Sequence, residues 1–438
     1  LINTWLNMFN PAEREYFLIR ERILDLGLIP VINECSEAAD CIVHNVPISY
    51  EYLANLPKLG IAQALQLLRY PKRLSPLHCD DLERESLSAF KRVQNEDKLA
   101  DRKVQSTAMR AILHRSKDIL RPLSISENRA KMLAEFSTGA TAGHAHTTVS
   151  RVCEAVEMFP EHFYGYTCTS HFREKKPYTA KVNSQPKSYK VRRLICMEDS
   201  GRNYFCAGIR RAILELMDQR VPGHDFSFES RIPIKDQGVN QMLSYVGSLS
   251  GEWATLDFSN ASDRITGGLA RYVLPGTVVD AIDKYRATQL EYPNGDISTC
   301  YMWLPSGNTV TFLCESLIFF AVVLSACEVS GIYTGQPSDC FVYGDDTIIP
   351  SAHYEFVADV VSNLGWQLNG AKSYFDSGDF IYRESCGHEY LNGVRCDSHY
   401  FPRKPISISD DGLAKLVDLQ HRLYDVSWRS CEWLTQLL

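Results

Sequence analysis

The chain has 438 residues and a formal charge of −7, with 45% hydrophobic and 23% charged residues. That length suits two or three domains rather than one core, and the composition excludes wholesale disorder. The acidic balance excludes a generally basic, histone-like coat but leaves room for local basic patches that bind nucleic acid.

The first 80 residues are punctuated by Pro30, Pro47, Pro57, Pro71 and Pro76 and carry no legible chemistry. From Arg84 to Lys131 the pattern is helical and net basic, with twelve Lys/Arg against six acids, as on a solvated helical face. A small-residue loop follows at 137–143, then His144 and His146. It lacks the lysine of a phosphate-binding P-loop, and the histidines lack further ligand partners, so the segment reads as a connection. Between His171 and Arg193 eight basic residues, among them Lys187, Lys190 and Arg193, face only Glu174. In an acidic chain such a concentration points to phosphate contact.

Downstream, Trp253–Asp257 predicts a short strand, Ser262–Val273 a helix, and Thr309–Val329 a long apolar helix. Cys340–Ile349 reads as two apolar β runs around a Gly-Asp turn, hence a hairpin, and Tyr354–Leu364 as an amphipathic helix. This order predicts an α+β fold with helices packed on a sheet. The longest apolar run, Leu317–Leu324, is shorter than a membrane span and reads as a core helix. Fourteen cysteines occur without one C-x-x-C pair, and no signal peptide is recognisable, so reduced thiols in a cytosolic protein are expected.

Chemistry concentrates at Tyr343-Gly344-Asp345-Asp346. Adjacent aspartates on a tight turn repel unless a cation sits between them, and oxygen-only ligands suit Mg²⁺ or Mn²⁺. Asp257 ends the preceding strand; beside the hairpin, it and Asp345 would face one point, where two divalent ions could clamp a phosphoryl displacement. Read without that hairpin, Asp257 is equally a helix cap. Ser306, Gly307 and Asn308 open the long helix, and Asn308 with Asp263 could read a nucleotide's 2′-hydroxyl. Lys372 could protonate a leaving pyrophosphate, or be a surface lysine.

Taken in order, these motifs resemble an RNA-directed RNA polymerase, most closely the replicase β-subunits of levivirus-type single-stranded RNA bacteriophages. The resemblance rests on Asp257-Phe-Ser-Asn-Ala-Ser-Asp263 as motif A, Ser306-Gly-Asn308 with Thr311–Phe319 as motif B, Val342–Asp346 as motif C and Arg383-Glu-Ser-Cys-Gly387 beyond. It implies a right-hand polymerase of fingers, palm and thumb, the palm built on a ferredoxin-like antiparallel sheet. Residues 1–130 would form an N-terminal helical region and part of the fingers, 131–250 the fingers with the basic motif F segment, 251–400 the palm, and 401–438 a truncated or reduced thumb. It further implies Asp257, Asp345 and Asp346 as ligands of two Mg²⁺ (or Mn²⁺) ions and Lys372 as general acid. Lys187, Lys190 and Arg193 would hold the triphosphate, and Asp263, Ser306, Gly307 and Asn308 the ribose. Substrates would be a single-stranded RNA template and NTPs, with host elongation factors Tu and Ts and a ribosomal protein as partners, no membrane, and the cytoplasm of a bacterial host as the location. A reverse transcriptase is the rival in the same class, but its site would exclude a 2′-hydroxyl rather than bind it. A non-catalytic RNA-binding palm is the rival in another class, and it predicts a lost metal aspartate.

Overall fold

The computed structural model describes residues 28–50, 53, 61–69, 80–100, 107–136, 141–142, 148–159, 179–187 and 191–397. The expected thumb at 401–438, Lys190, and the loop histidines His144 and His146 lie outside the described residues. Helices come first: α1 (Leu28–Val43), α2 (Ile61–Arg69), α3 (Asp80–Ala100), α4 (Thr107–Leu120), α5 (Glu127–Met132) and α6 (Thr148–Met158). A hairpin of β1 (Thr179–Pro186) and β2 (Arg192–Met197) leads to α7 (Ser200–Leu214), α8 (Phe228–Arg231) and α9 (Gly238–Ser250). Then come β3 (Trp253–Leu256), α10 (Gly267–Val273), α11 (Gly276–Tyr285), β4 (Gln289–Glu291), β5 (Ile297–Thr299) and α12 (Thr311–Thr334). The described part closes with β6 (Phe341–Tyr343), β7 (Asp346–Pro350), α13 (Tyr354–Asn363), β8 (Tyr382–Ser385), β9 (His388–Leu391) and β10 (Val394–Arg395).

The central sheet has the order β3-β7-β6, all antiparallel, with Leu256 opposite Thr347 and Tyr343 opposite Asp346. Residues 367–374 run along the free edge of β3: Thr255 and Tyr374 exchange both backbone hydrogen bonds (2.9 and 2.8 Å), and Ser259 donates to the Gln367 carbonyl. Strand, helix, hairpin, helix and edge segment therefore follow the β-α-β-β-α-β plan of a ferredoxin-like sheet. A second sheet, β2-β1-β4-β5, joins the basic hairpin to β4 in parallel across more than 100 residues of sequence. A third, β10-β9-β8, lies against α9.

The core is organised around α12, which is apolar on every side and packs against α4, α13, β6 and β7. By length and composition it could cross a membrane, yet 83% of its most apolar window is buried inside the fold, as expected for an enclosed core helix. Serines permit the close approach of α4. The Ser116 hydroxyl reaches the Ala321 carbonyl and the Ser325 hydroxyl, each at 3.2 Å. The described cysteines are free thiols, most of them buried.

One expected element is different. The helix expected over Ser262–Val273 is split into a single turn at Ser262–Arg264 and α10, because Ile265 is extended and Thr266 caps α10 by accepting from the Leu269 N–H at 3.2 Å. The break lets Arg264 turn inward to the Gly365 carbonyl and Glu96. Elsewhere helices meet backbone to backbone: a Cβ on Gly208 in α7 would lie 2.1 Å from the Ala130 carbonyl oxygen of α5. Gly208→Ala is expected to destabilise the chain by about 1–3 kcal/mol in urea unfolding, since neither backbone can yield without repacking.

Candidate active site

Pairing of β3 with β7 carries Asp257, the residue after β3, to the level of the turn between β6 and β7. That two-residue turn has Gly344 at φ +65°, a backbone region open to glycine at little steric cost and suited to a tight hairpin. The long helix holds the turn from below. The Gly344 N–H donates to the Ser316 hydroxyl at 3.0 Å, and that hydroxyl donates to the Phe312 carbonyl at 2.8 Å. The Phe312 ring lies over the glycine, where a Cβ would approach it to 2.5 Å, and meets Tyr343 edge-on.

The three aspartates are gathered at a cost in electrostatic energy. Desolvation in the cleft and then the nearby Asp257 charge raise the Asp345 carboxyl. Burial, Glu384 and Asp345 push Asp346 up to about 7. Asp346 is tethered by its carbonyl, which accepts from Asn240 Nδ2 at 3.2 Å, and by its carboxylate, which accepts from Ser385 at 3.4 Å. Cations answer these charges. The Lys372 ammonium is 3.8 Å from Asp257 Oδ1. Burial alone would pull Lys372 down, but Glu384, Asp257, Asp346 and Asp345 together outweigh it and raise its pKa. Lys187 is lowered by desolvation and by Arg193 and Lys372, while Asp257 and Asp345 pull the other way. The basic hairpin β1–β2 therefore brings Lys187 near the acidic turn.

Next to this cluster, the loop 305–308 is fastened to β2. The Cys196 N–H donates to the Ser306 carbonyl at 2.7 Å, and Gly307, at φ +128°, passes so close that a Cβ would sit 2.3 Å from the Cys196 carbonyl oxygen. Ser306 donates its N–H to Asp263 Oδ1 at 3.3 Å, and burial pushes Asp263 up to about 6. Asn308 points inward and is only 7% exposed. Its Nδ2 donates to Glu198 Oε2 at 2.7 Å, and its Oδ1 accepts from the Val310 N–H at 2.9 Å. Both ends of the amide expected to read a ribose are thus engaged within the protein.

The structure brings Asp257, Asp263, Asp345, Asp346, Lys187, Arg193, Ser306 and Lys372 to one cleft and turns Asn308 behind it. Sequence reasoning gave no role to several residues. Glu198 is wholly enclosed, and burial raises it to about 7 while it also accepts from the Ala287 N–H at 2.9 Å. Glu315, near the start of α12 but past its first turn, is raised well above its usual range by burial and by Asp345 and Asp263. Glu384 is raised by burial, and Asn369 bonds Asp257 directly. Arg383, in the string that marks the resemblance, is fully buried and structural: its guanidinium donates to the carbonyls of Trp253, Tyr382 and Asp376.

Among the described residues, no three Asp, Glu, His or Cys side chains enclose an ion by themselves. Mg²⁺ is commonly bound by one or two carboxylates, with its other oxygens from water and substrate phosphates. Desolvated, mutually repelling carboxylates are a hard-oxygen donor set suited to such an ion.

A family model described as RNA replicase, beta-chain matches residues 92–428. The chain is 36% identical over 230 residues to the RNA-directed RNA polymerase subunit beta of Qbeta virus (strain MX1), covering 52% of this chain and 36% of that protein. It is 31% identical over 242 residues to the RNA-directed RNA polymerase beta chain of Escherichia phage MS2, covering 55% and 40%. For the beta chain of Enterobacteria phage fr the identity is 30% over 291 residues, covering 62% and 50%. The chain therefore spans between a third and a half of the length of these curated relatives. In structure it is similar to an insertion-loop deletion mutant of the RNA-dependent RNA polymerase of a human picorbirnavirus. The TM-score is 0.52 at 15% identity over 97% of this chain and 88% of that one, a likeness of fold.

The clamp on the turn gives a direct test. Gly344→Ala must adopt a positive φ and displace Phe312, and is expected to cost about 1–3 kcal/mol in urea unfolding. Ser316→Ala should cost about 1 kcal/mol and speed hydrogen exchange at the Gly344 amide, which loses its acceptor.

Proposed function

The chain belongs to the RNA replicase beta-chain family, and on that premise we propose that it is an RNA-directed RNA polymerase extending RNA from NTPs on a single-stranded RNA template. The observation that carries this reading is the convergence of Asp257 and the Asp345–Asp346 turn on adjacent strands of a ferredoxin-like sheet, opposite a basic hairpin. In this reading residues 131–250 supply fingers and 251–400 the palm.

Asp257, Asp345 and Asp346 would hold two Mg²⁺ or Mn²⁺ ions. Bound there, the metal supplies positive charge that favours the ionised 3′-hydroxyl and balances charge on the departing pyrophosphate. The chain's own residues position and neutralise. Lys187, Lys190 and Arg193 bind the triphosphate oxygens, which restrains the α-phosphate for attack by the 3′-hydroxyl, or by the first nucleotide's hydroxyl in unprimed initiation. Lys372, kept protonated by the surrounding carboxylates, gives a proton to the leaving pyrophosphate.

Asp263, Ser306 and Gly307 form the wall facing the ribose, and Asn308 joins them when its amide exchanges the bond to Glu198 for one to the 2′-hydroxyl. The ribose is thereby bound rather than excluded, which favours NTPs over dNTPs. The relatives named as a subunit beta support action within a larger assembly in an infected bacterial cell. Elongation factors Tu and Ts and a ribosomal protein are the partners that the resemblance implies.

Labelled NTPs on a single-stranded RNA template with Mg²⁺ or Mn²⁺ test this reading, with bacterial extract added in a parallel arm. Template-dependent product from NTPs and not from dNTPs is the expected result. Asp345→Asn should lower incorporation at least 100-fold while leaving the melting temperature and RNA binding nearly unchanged, a loss of the order seen when charge stabilisation is removed from an active site. Product from dNTPs would favour a reverse transcriptase, and RNA binding without turnover in both arms a non-catalytic palm.

A further inference from the structure

Asp257 lies just past the last residue of β3, so the strand ladder does not fix its carboxylate. The edge segment 369–373 grips it instead. The Asn369 N–H donates to the Asp257 carbonyl at 2.8 Å, and the Asp257 N–H donates to the Ser373 hydroxyl at 3.1 Å. Asn369 then adds a side-chain bond: its Nδ2 donates to Asp257 Oδ2 at 2.8 Å. The same segment closes a turn, with the Lys372 N–H on the Asn369 carbonyl at 2.9 Å, and this turn sets the Lys372 ammonium 3.8 Å from the other oxygen, Oδ1.

These bonds do different work. Any residue at position 369 can supply the main-chain donor and acceptor, which locate the Asp257 backbone. The Asn369 amide alone restrains rotation of the carboxylate about its last bond, a broad and soft torsion when nothing holds it. A neutral donor does this without competing for charge, whereas a lysine or arginine in its place would occupy the oxygen as an ion pair. Asn369 is half-buried and its side chain fills no core space, so packing does not account for its amide.

We propose that Asn369 is a positioning residue for Asp257: its amide holds Oδ2, so that Oδ1 is the oxygen offered to a divalent cation and to Lys372. The proposal rests on the polymerase reading above and names a residue through which that site is tuned. Hydrogen-bond partners of metal-ligating carboxylates commonly carry tenfold or more in metal affinity.

The test uses the full 438-residue chain, with Asn369→Ala and Asn369→Ser beside Asp345→Asn. Mn²⁺ affinity is read from the free-ion electron paramagnetic resonance signal, and incorporation is measured across a Mg²⁺ titration. Both Asn369 variants should bind Mn²⁺ about tenfold more weakly and shift the Mg²⁺ midpoint upward by a similar factor. Rate at saturating Mg²⁺ should fall much less, and the melting temperature should hold. If Asn369→Ala melts early, Asn369→Ser, which keeps a polar side chain too short to reach Oδ2, carries the comparison. Unchanged Mn²⁺ affinity and Mg²⁺ midpoint in both variants, with Asp345→Asn inactive, would overturn the proposal and leave the polymerase reading standing. A lowered melting temperature with an unchanged midpoint would overturn it too, making Asn369 a brace for the loop only. Full incorporation and metal binding by Asp345→Asn would remove the reading on which the proposal rests.

Discussion

Mutual repulsion among carboxylates is the constraint to which the rest of the molecule answers. Asp257, Asp345, Asp346 and Glu384 occupy one partly desolvated region, and Asp345, Asp346 and Glu384 are each raised by burial and by at least one neighbouring carboxylate. Such a cluster weakens a fold unless cations face it and rigid neighbours keep it from spreading. Here the neighbours are a strand pairing, a helix that pins Gly344 by a hydroxyl and a ring, and an edge segment that grips Asp257. The cations are Lys187 and Lys372, delivered by the basic hairpin and by that edge segment.

Much of this was legible in the sequence because it is local. Two apolar runs around Gly-Asp indicated the hairpin, the long apolar run indicated α12, and the unequal charge of 171–193 marked a basic segment whose Lys187 lies near the acids. The resemblance supplied the rest of the palm, including the four-strand plan that emerges only when 367–374 is seen beside β3. Sequence pattern missed what depends on distant partners. Asn369 meets Asp257 across 112 residues, and Asn308 meets Glu198 across 110, so neither spacing carries a periodic signal. The split of Ser262–Val273 was hidden for another reason. Its apolar positions suit a helix, and only the inward turn of Arg264 toward Gly365 and Glu96 requires the break.

The loop 305–308 shows the same dependence on long-range contact. Gly307 is needed where the loop crosses β2, because the Cys196 carbonyl occupies the space of a side chain. Loop 305–308 and strand β2 are joined by the Cys196–Ser306 backbone bond. Glu198, just past the end of β2, adds a second tie to the loop through Asn308.

The all-round apolar character of α12 has a consequence for how the chain comes to be folded at all. Its socket has walls from both directions of the sequence: α4 precedes it, whereas the β6–β7 hairpin and α13 follow. During synthesis the helix leaves the ribosome with one wall made and the others still to come, an interval on the order of seconds at bacterial elongation rates. Throughout that interval the nascent chain displays a stretch with the length and hydropathy of a membrane span. The same helix that clamps the Gly344 turn in the finished protein is thus a segment exposed to aggregation, or to capture by the membrane-targeting machinery, before residue 363 has been made.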